Sequence, residues 1–442
     1  MENKFVYSAT LESLGEYDVV VVGGGPAGVC AAVSASRSGA KVALVEKTAM
    51  LGGMATSGLV GPFMTCYNRE AEVPVVGGLF REIVERLMRA NGALCPDDTP
   101  AKSRFTSYIE KYHSNTTPID SAILQTVLDE MVLKSGVELF LYTQFVDCKT
   151  EDGKIKHLVV ATPGGLSVIE GKYFIDCSSN ADLAFKAGVP TWLGDEESGV
   201  PQAATLFFEL TNVDDEKYLQ RGGHKAYRMP EKGRYKVNDK HVMNVNPADV
   251  RSMTAGHIQG RKFAIESFLD MKATRPGFEN ATLTQIASVL GIREGRHIQG
   301  RYMLTVEDVC NSTYFEDAVV TFGYGMDVHS RASKEKGGFD YGSADWYTIP
   351  FRCLVPLKCD NLLVAGKTIC AQSQAAGSFR VMPACMALGQ AAGTAIAMAV
   401  KENCNAGDIS VKDLQDTLVK NGAIIMDSRT DPLTRKPYTI YK

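Results

Sequence analysis

Near the start of the chain, Asp18 to Val22 (DVVVV) runs straight into Gly23-Gly24-Gly25-Pro26-Ala27-Gly28, and that junction leaves few folds open. A β-branched run with no polar alternation predicts a strand covered on both faces. A small, helix-compatible stretch, VCAAVSASRSG, follows the glycines. Lys41 to Val45 then reads as a second strand, ending at Glu46. Strand, glycine turn, helix, strand and acid within about thirty residues make the βαβ unit that binds dinucleotides.

Each glycine in the turn has a separate physical job. Gly23 permits the tight turn, Gly25 lets backbone approach a pyrophosphate, and Gly28 lets the helix pack against the strand. The helix start at Pro26 and Ala27 offers unpaired N–H groups and a partial positive charge to phosphate. Glu46 is placed to accept from a ribose hydroxyl, with Lys47 beside it. A second glycine loop, Leu51 to Gly58 (LGGMATSG), follows the acid and suits a longer cofactor whose flavin end runs back under the chain. That favours FAD over NAD. No second GxGxxG is present, so a separate nicotinamide domain is not expected. Asn361 to Thr368 (NLLVAGKT) imitates a Walker A tail, but Asn stands where that motif needs Gly.

Composition narrows the function classes. The 442 residues suggest two or three domains, and a net charge of −4 lacks the basic surplus that nucleic acid or anionic membrane binding runs on. The eleven cysteines have no Cys-x-x-Cys spacing, which removes a redox dithiol, a zinc ribbon and a ferredoxin-type cluster. Scattered thiols and an N-terminus without a signal pattern predict a cytoplasmic protein. His224, His241 and His257 lack metal-ligand spacing, so no metal is expected. Val381 to Val400 carries no charge and contains Gly389-x-x-x-Gly393, which resembles a membrane helix. Seven alanines, Pro383 and Gln390 make it a buried, closely packed helix instead.

Further along, residues 80–90 and 121–135 read as helices and Val137 to Tyr142 as a third strand. A hairpin is expected at 155–169, and Tyr173 to Cys177 leads towards a helix near Asp182. Between about 190 and 350 the character changes, with an amphipathic helix at 247–271. Leu362 to Gly366 returns to the buried-strand style. The fold class is therefore α/β, a Rossmann-like FAD-binding domain built from both ends of the chain (1–190 and 351–442). An α+β cap at 191–350 is inserted between them.

The chain resembles the FAD-dependent oxidoreductases of the glutathione-reductase-like flavoprotein superfamily, closest to a bacterial branch. The likeness spans nearly the whole chain, through YDVVVVGGGPAGVCAA (17–32), LGGMATSG (51–58), FIDCSSNADLAFKAG (174–188), GIREGRHIQGRYMLTVED (291–308), YTIPFRCLVP (347–356) and NLLVAGKTICAQSQAAGSFRVMPACMALGQAAG (361–393). The resemblance implies FAD, with Gly23, Gly25, Ala27 and Gly28 at the pyrophosphate and Glu46 at the ribose. It further implies Gly53, Met54 and Thr56 along the cofactor, the Val146 backbone at the adenine, and Gly366 through Pro383 facing the isoalloxazine. Asp182 is kept from the family pattern, and Gly389 and Gln390 belong to its last helix. Two departures stand out. Ser178-Ser179-Asn180-Ala181 replaces a segment that usually holds two glycines, and Gln374 occupies a loop where the family often has His.

Chemistry needs a proton-transfer group beside the flavin. His329, in a family-like Asp-x-His segment, is the first candidate, and Arg380 is the candidate anchor for a carboxylate or the flavin edge. Arg352 and Tyr347 flank the return to the cofactor domain as further candidates. The charged run Arg293, Glu294, Arg296 and His297 reads as a solvated or inter-domain ion-pair face. Cys177 and Cys370 read as small hydrophobic residues rather than flavin attachment points. The expected activity is hydride exchange between a small organic substrate and flavin N5. A tRNA-modifying flavoprotein and a flavin-carrying electron-transfer subunit are the alternatives. A homo-oligomer is compatible with this composition, and the second electron partner is open.

Overall fold

The computed structural model describes residues 6–99, 114–219, 226–329, 339–340 and 345–426; His224 lies outside them. Strand β1 (Glu12–Val22) runs through the glycine turn into α1 (Pro26–Arg37), and β2 (Val42–Val45) pairs parallel to β1. β3 (Glu138–Phe140) extends the sheet beyond β2, after helices α2 (Gly78–Arg89) and α3 (Ser121–Lys134). On the other side of β1 comes β6 (Gly165–Asp176), then β5 (Lys154–Thr162) antiparallel to β6 and β4 (Gln144–Glu151) antiparallel to β5. The later half of β6 also pairs with Leu362–Val364, so a strand nearly two hundred residues away completes the sheet.

The unbroken valine run is explained by two cores. Successive strand side chains point to opposite faces. Val19 and Val21 enter the core shared with α1 and α3, while Val20 and Val22 pack with Leu158, Ile169 and Phe174 on the other side. Leu363 and its neighbours Leu362 and Val364 divide in the same way. Two sequence expectations are corrected here. The expected strands Leu166–Ile169 and Tyr173–Asp176 are one strand, β6, with Cys177 just past its end, and the sequence reading has no strand at β4. β4 is a mostly exposed outer strand, whose residues show little apolar alternation.

The inserted region holds a four-stranded antiparallel sheet (Ala226–Arg228, Tyr235–Val237, Phe208–Thr211, Thr282–Ile286). The long helix Val250–Thr274 packs on it through Ala264 and Met271. That helix starts three residues later than the periodicity suggested, because the Asp249 carboxylate accepts from Ser252 N–H and caps it there.

Helix Met382–Glu402 is long and apolar enough to cross a membrane, but 83% of its apolar window is buried inside the protein. Its glycines seat it on α1. A Cβ at Gly389 would lie 2.0 Å from the Ala27 carbonyl oxygen, and one at Gly393 would lie 2.2 Å from that of Ala31. The four-residue glycine spacing thus serves contact between two helix backbones within one chain.

Candidate functional site

Four parallel strands end on one cavity of about 850 Å³, at the upper end of the range for small-molecule sites. Val22–Gly23, Val45–Glu46, Cys177 and Ala365–Gly366 supply the strand ends. A crevice at the carboxyl ends of the strands is where open α/β sheets bind ligands. The cap closes the opposite wall with one face of its long helix, including Met253, His257 and Arg261, together with Phe207 and Leu290.

Residue spacing alone explains much of the inner wall. Gly23 adopts φ +102°, and a Cβ there would lie 2.5 Å from the Cys177 carbonyl oxygen. Gly28 is tighter still, with a Cβ position 1.7 Å from Gly23 O. Gly25 differs, since a Cβ there meets nothing within 4 Å and would project into free space. The second glycine loop stacks on the first through Gly52 N–H to Gly24 O at 2.8 Å. Both α1 and Met382–Glu402 begin without a side-chain cap, and both begin at the cavity. Two sets of unpaired N–H groups and two positive dipole ends therefore face the same space.

Glu46 is buried at the end of β2. Its Oε2 accepts from Gly24 N–H at 2.7 Å and its Oε1 from Thr48 N–H at 2.8 Å. Oε1 also accepts from the Thr48 hydroxyl at 2.8 Å, so Oε2 is the oxygen that keeps a lone pair for a hydroxyl partner. After β6, Ser179 (φ +71°) and Ala181 (φ +50°) take up left-handed conformations. Both stand where the resemblance places glycines, and as non-glycine residues they bear backbone strain there. Asp182, at the start of α4 (Asp182–Lys186), pairs with Arg296 at 3.0 Å and borders the cavity.

At the cap end, Asp327 Oδ1 lies 2.8 Å from His329 Nε2, and Asp327 Oδ2 lies 2.9 Å from Arg380 Nη2. The His329 ring stacks on His241, with centroids 4.6 Å apart. Burial, the largest influence, pushes the His329 imidazole below its ordinary value, and the charges of Arg293 and Arg380 add to it against the pull of Asp327. Burial would raise the Asp327 carboxyl, but the His329 hydrogen bond and the two arginines hold it well below the usual range. The arrangement is a neutral histidine oriented by an ionised carboxylate, which can accept a proton. Lys367, next to Gly366, donates to the Ile292 carbonyl, and burial pushes its ammonium down to about 8.

Of the residues singled out from sequence, Gly23, Gly25, Pro26, Ala27, Glu46, Lys47, Gly53, Met54, Asp182, Gly366, His329 and Arg380 all line the cavity. The others do not. Gly28 and Gly389 serve packing, as above. Thr56 donates to Leu51 O, and Gln390 Oε1 accepts from Leu79 N–H. The half-exposed Val146 is passed over in favour of Thr143, Gln144 and Phe145, and Pro383 in favour of Val381, Met382 and Cys385. Arg352 is a surface residue forked onto Asp317 and stacked on Tyr302. The Tyr347 hydroxyl is buried against Ser378 Oγ at 2.7 Å. Gln374 is exposed and does not reach the cavity.

The charged run at 293–297 is not a solvated face. Glu294 and His297 form a buried pair at 3.2 Å, Arg296 holds Asp182, and Arg293 lines the cavity. Sequence reasoning gave no site role to Tyr227, His241 or Lys367, which the cavity gathers from separate elements. Asp327 alone had a local signal, two positions before His329 on an extended segment. Burial raises the Cys177 thiol well above its ordinary value, so it is not a thiolate nucleophile.

Comparison with known proteins matches residues 18–418 to the family described as FAD dependent oxidoreductase. The thiamine thiazole synthase of Pyrococcus horikoshii is 30% identical over 173 residues, 37% of this chain and 58% of that protein. The chain thus spans little more than half the length of that relative. A soluble pyridine nucleotide transhydrogenase of Mycobacterium tuberculosis is 36% identical over 89 residues, covering 20% of this chain and 19% of that one. Among solved structures, the myxobacterial chondrochloren halogenase CndH aligns over 91% of this chain and 78% of its own, at 12% identity and a TM-score of 0.49. The match runs from within β1 into helix Val411–Lys420, and on it the chain belongs to the FAD-dependent oxidoreductase family, with FAD as its cofactor.

Proposed function

We propose that the cavity seats FAD along the strand ends and that a small organic substrate, held under the cap, exchanges hydride with it. The uncapped start of α1, with Gly25 open to the cavity, suits the pyrophosphate, and Glu46 suits the ribose. The uncapped start of Met382–Glu402 suits the electron-rich edge of the flavin, where its dipole would stabilise negative charge on reduction. When bound, the flavin supplies a hydride acceptor or donor at N5. The chain supplies the proton chemistry. The His329 imidazole takes the proton from a substrate hydroxyl or amine, Asp327 fixes which ring nitrogen is free, and Arg380 orients the substrate.

The observation that carries this reading is the Asp327–His329–Arg380 group opening on the same cavity as the glycine turn. A flavin-carrying subunit has no need of an oriented base there. The reading extends to a cytoplasmic enzyme of the bacterial, glutathione-reductase-like branch, with boundaries near 190 and 350. The eleven free thiols support a reducing compartment. The test is anaerobic bleaching of the FAD-loaded protein against alcohols, amines, sugars and hydroxy acids. At least one class should bleach the flavin, and His329→Ala should slow that reduction while FAD stays bound. Bleaching at an unchanged rate in the variant would end the role of His329.

A further inference from the structure

We infer that the substrate carries a carboxylate, gripped by Arg293 and Arg380 beside the Asp327–His329 pair, with its oxidisable carbon close to that carboxylate. This rests on the hydride-exchange reading and names the substrate class for the same site.

Arg293 is anchored by its Nη1, which donates to the Ala203 carbonyl at 2.6 Å and to Thr205 Oγ1 at 2.8 Å. That backbone anchor fixes the guanidinium where it borders the cavity. Arg380 is anchored by its Nη2, which donates to both the carbonyl and the carboxylate of Asp327. Its Nε is buried with no hydrogen-bond partner, although the residue lines the cavity. That nitrogen has under 1 Å² of accessible surface, so an anion in the cavity would meet the guanidinium at its Nη edge rather than at Nε. Arginine forks match a carboxylate in both charge and geometry.

Charge supports the same occupant. Arg293, Arg380 and Lys367 are cationic here. Asp327 and Glu294 are the anions against them, and Glu294 is already held by Gln202 N–H and His297. The cavity lining here is net positive, with Arg261, Arg293, Lys367 and Arg380 around Asp327, which suits an anionic ligand. Spacing then limits the molecule. His329 and Arg380 bind the two oxygens of one carboxylate, so the proton acceptor and the anion anchor are only a few bonds apart. A 2-hydroxy or 2-amino acid spans that distance.

The test uses the FAD-loaded protein and two matched pairs of probes, pyruvate with pyruvamide and benzoate with benzamide. Binding is read from the flavin difference spectrum and from calorimetry, without turnover. The carboxylates are expected to bind at least tenfold more tightly than their amides. Arg293→Gln should remove that preference while leaving the amides unchanged. Arg293→Lys, which keeps the charge, should retain part of it if the glutamine variant does not fold. Equal binding of acid and amide, or no carboxylate binding, overturns the inference, as does an equal loss for both in R293Q. Carboxylate binding with no bleaching by any alcohol, amine, sugar or hydroxy acid would keep the carboxylate site and remove the hydride reading. Bleaching by neutral alcohols with no carboxylate preference would do the reverse.

Discussion

Asp327 and His329 stand two positions apart on one extended stretch, and Oδ1 of the first lies 2.8 Å from Nε2 of the second. The carboxylate thereby fixes Nε2 as the protonated nitrogen of the neutral ring and leaves Nδ1 as the base. It also raises the imidazole's proton affinity against burial and two arginines that lower it.

Replacing Asp327 by Asn should therefore act in two ways. Without the carboxylate, the His329 value falls further, so the acid limb of flavin reduction moves to lower pH. In the wild type that limb already lies below the ordinary histidine range, because the base form is needed and its pKa is depressed. The maximal rate should fall by ~10²-fold, within the usual worth of a positioned general base. Stopped-flow reduction between pH 5 and 8 with any bleaching substrate measures both, and a limb moving upward would contradict the assignment.

Gly25 and Gly28 in the turn predict different failures. Gly25 has φ −71° and an open Cβ position, so Gly25→Ala should fold normally. The added methyl occupies space above the helix start, and FAD affinity should drop by about tenfold or more, ~1.4 kcal/mol. Gly28→Ala instead drives a carbon to 1.7 Å from Gly23 O and should prevent soluble expression. Flavin content per folded protein separates the two, and a G25A variant with undiminished FAD binding would displace the pyrophosphate from this turn.

What the sequence made legible was whatever local backbone geometry dictates. The glycine turn, the two-faced valine strand, Glu46 and the return at Leu362 are each fixed by residues near in the chain. The Asp-x-His pair was legible for the same reason. The cap end was not, because Arg293, Tyr227, His241 and Lys367 come together only when four separate segments fold over one cavity. Arg352 and Tyr347 misled in the opposite direction. Both stand in a family-like motif, yet that motif builds the surface fork onto Asp317 and the buried contact with Ser378. At the Ser178–Ala181 departure, Ser179 and Ala181 bear left-handed conformations that the residue types alone did not announce.

Gly389→Ala should destabilise, against the usual helix preference. Alanine normally gains ~1 kcal/mol over glycine in a helix interior. Here the Cβ would lie 2.0 Å from the Ala27 carbonyl oxygen, so the helix pair must separate, at a cost of ~1–3 kcal/mol. Because both helices begin at the cavity, FAD affinity should fall together with stability. Denaturant unfolding with and without FAD gives both numbers, and a G389A protein more stable than the wild type would contradict this contact.

Lys236 carries the last prediction. It is fully buried where the cap sheet meets the cofactor domain, with Nζ donating to Ser121 Oγ at 2.6 Å. Burial pushes its ammonium down to about 8, although Glu209 and Asp120 pull upward; Arg234 adds to the lowering. Between that value and the ordinary lysine value near 10.4, the unfolded chain binds a proton that the folded one does not. The contribution of Lys236 to stability must therefore rise with pH across that window, by ~3 kcal/mol at most. Lys236→Met removes the buried charge, and Ser121 Oγ still has the Ala55 carbonyl as acceptor. The variant should be more stable than the wild type at pH 7, and the gap should close towards pH 10. Urea unfolding of both proteins across that range isolates the effect, because other alkaline titrations cancel in the difference. A gap that stays constant with pH would mean that the ammonium is not desolvated at this junction.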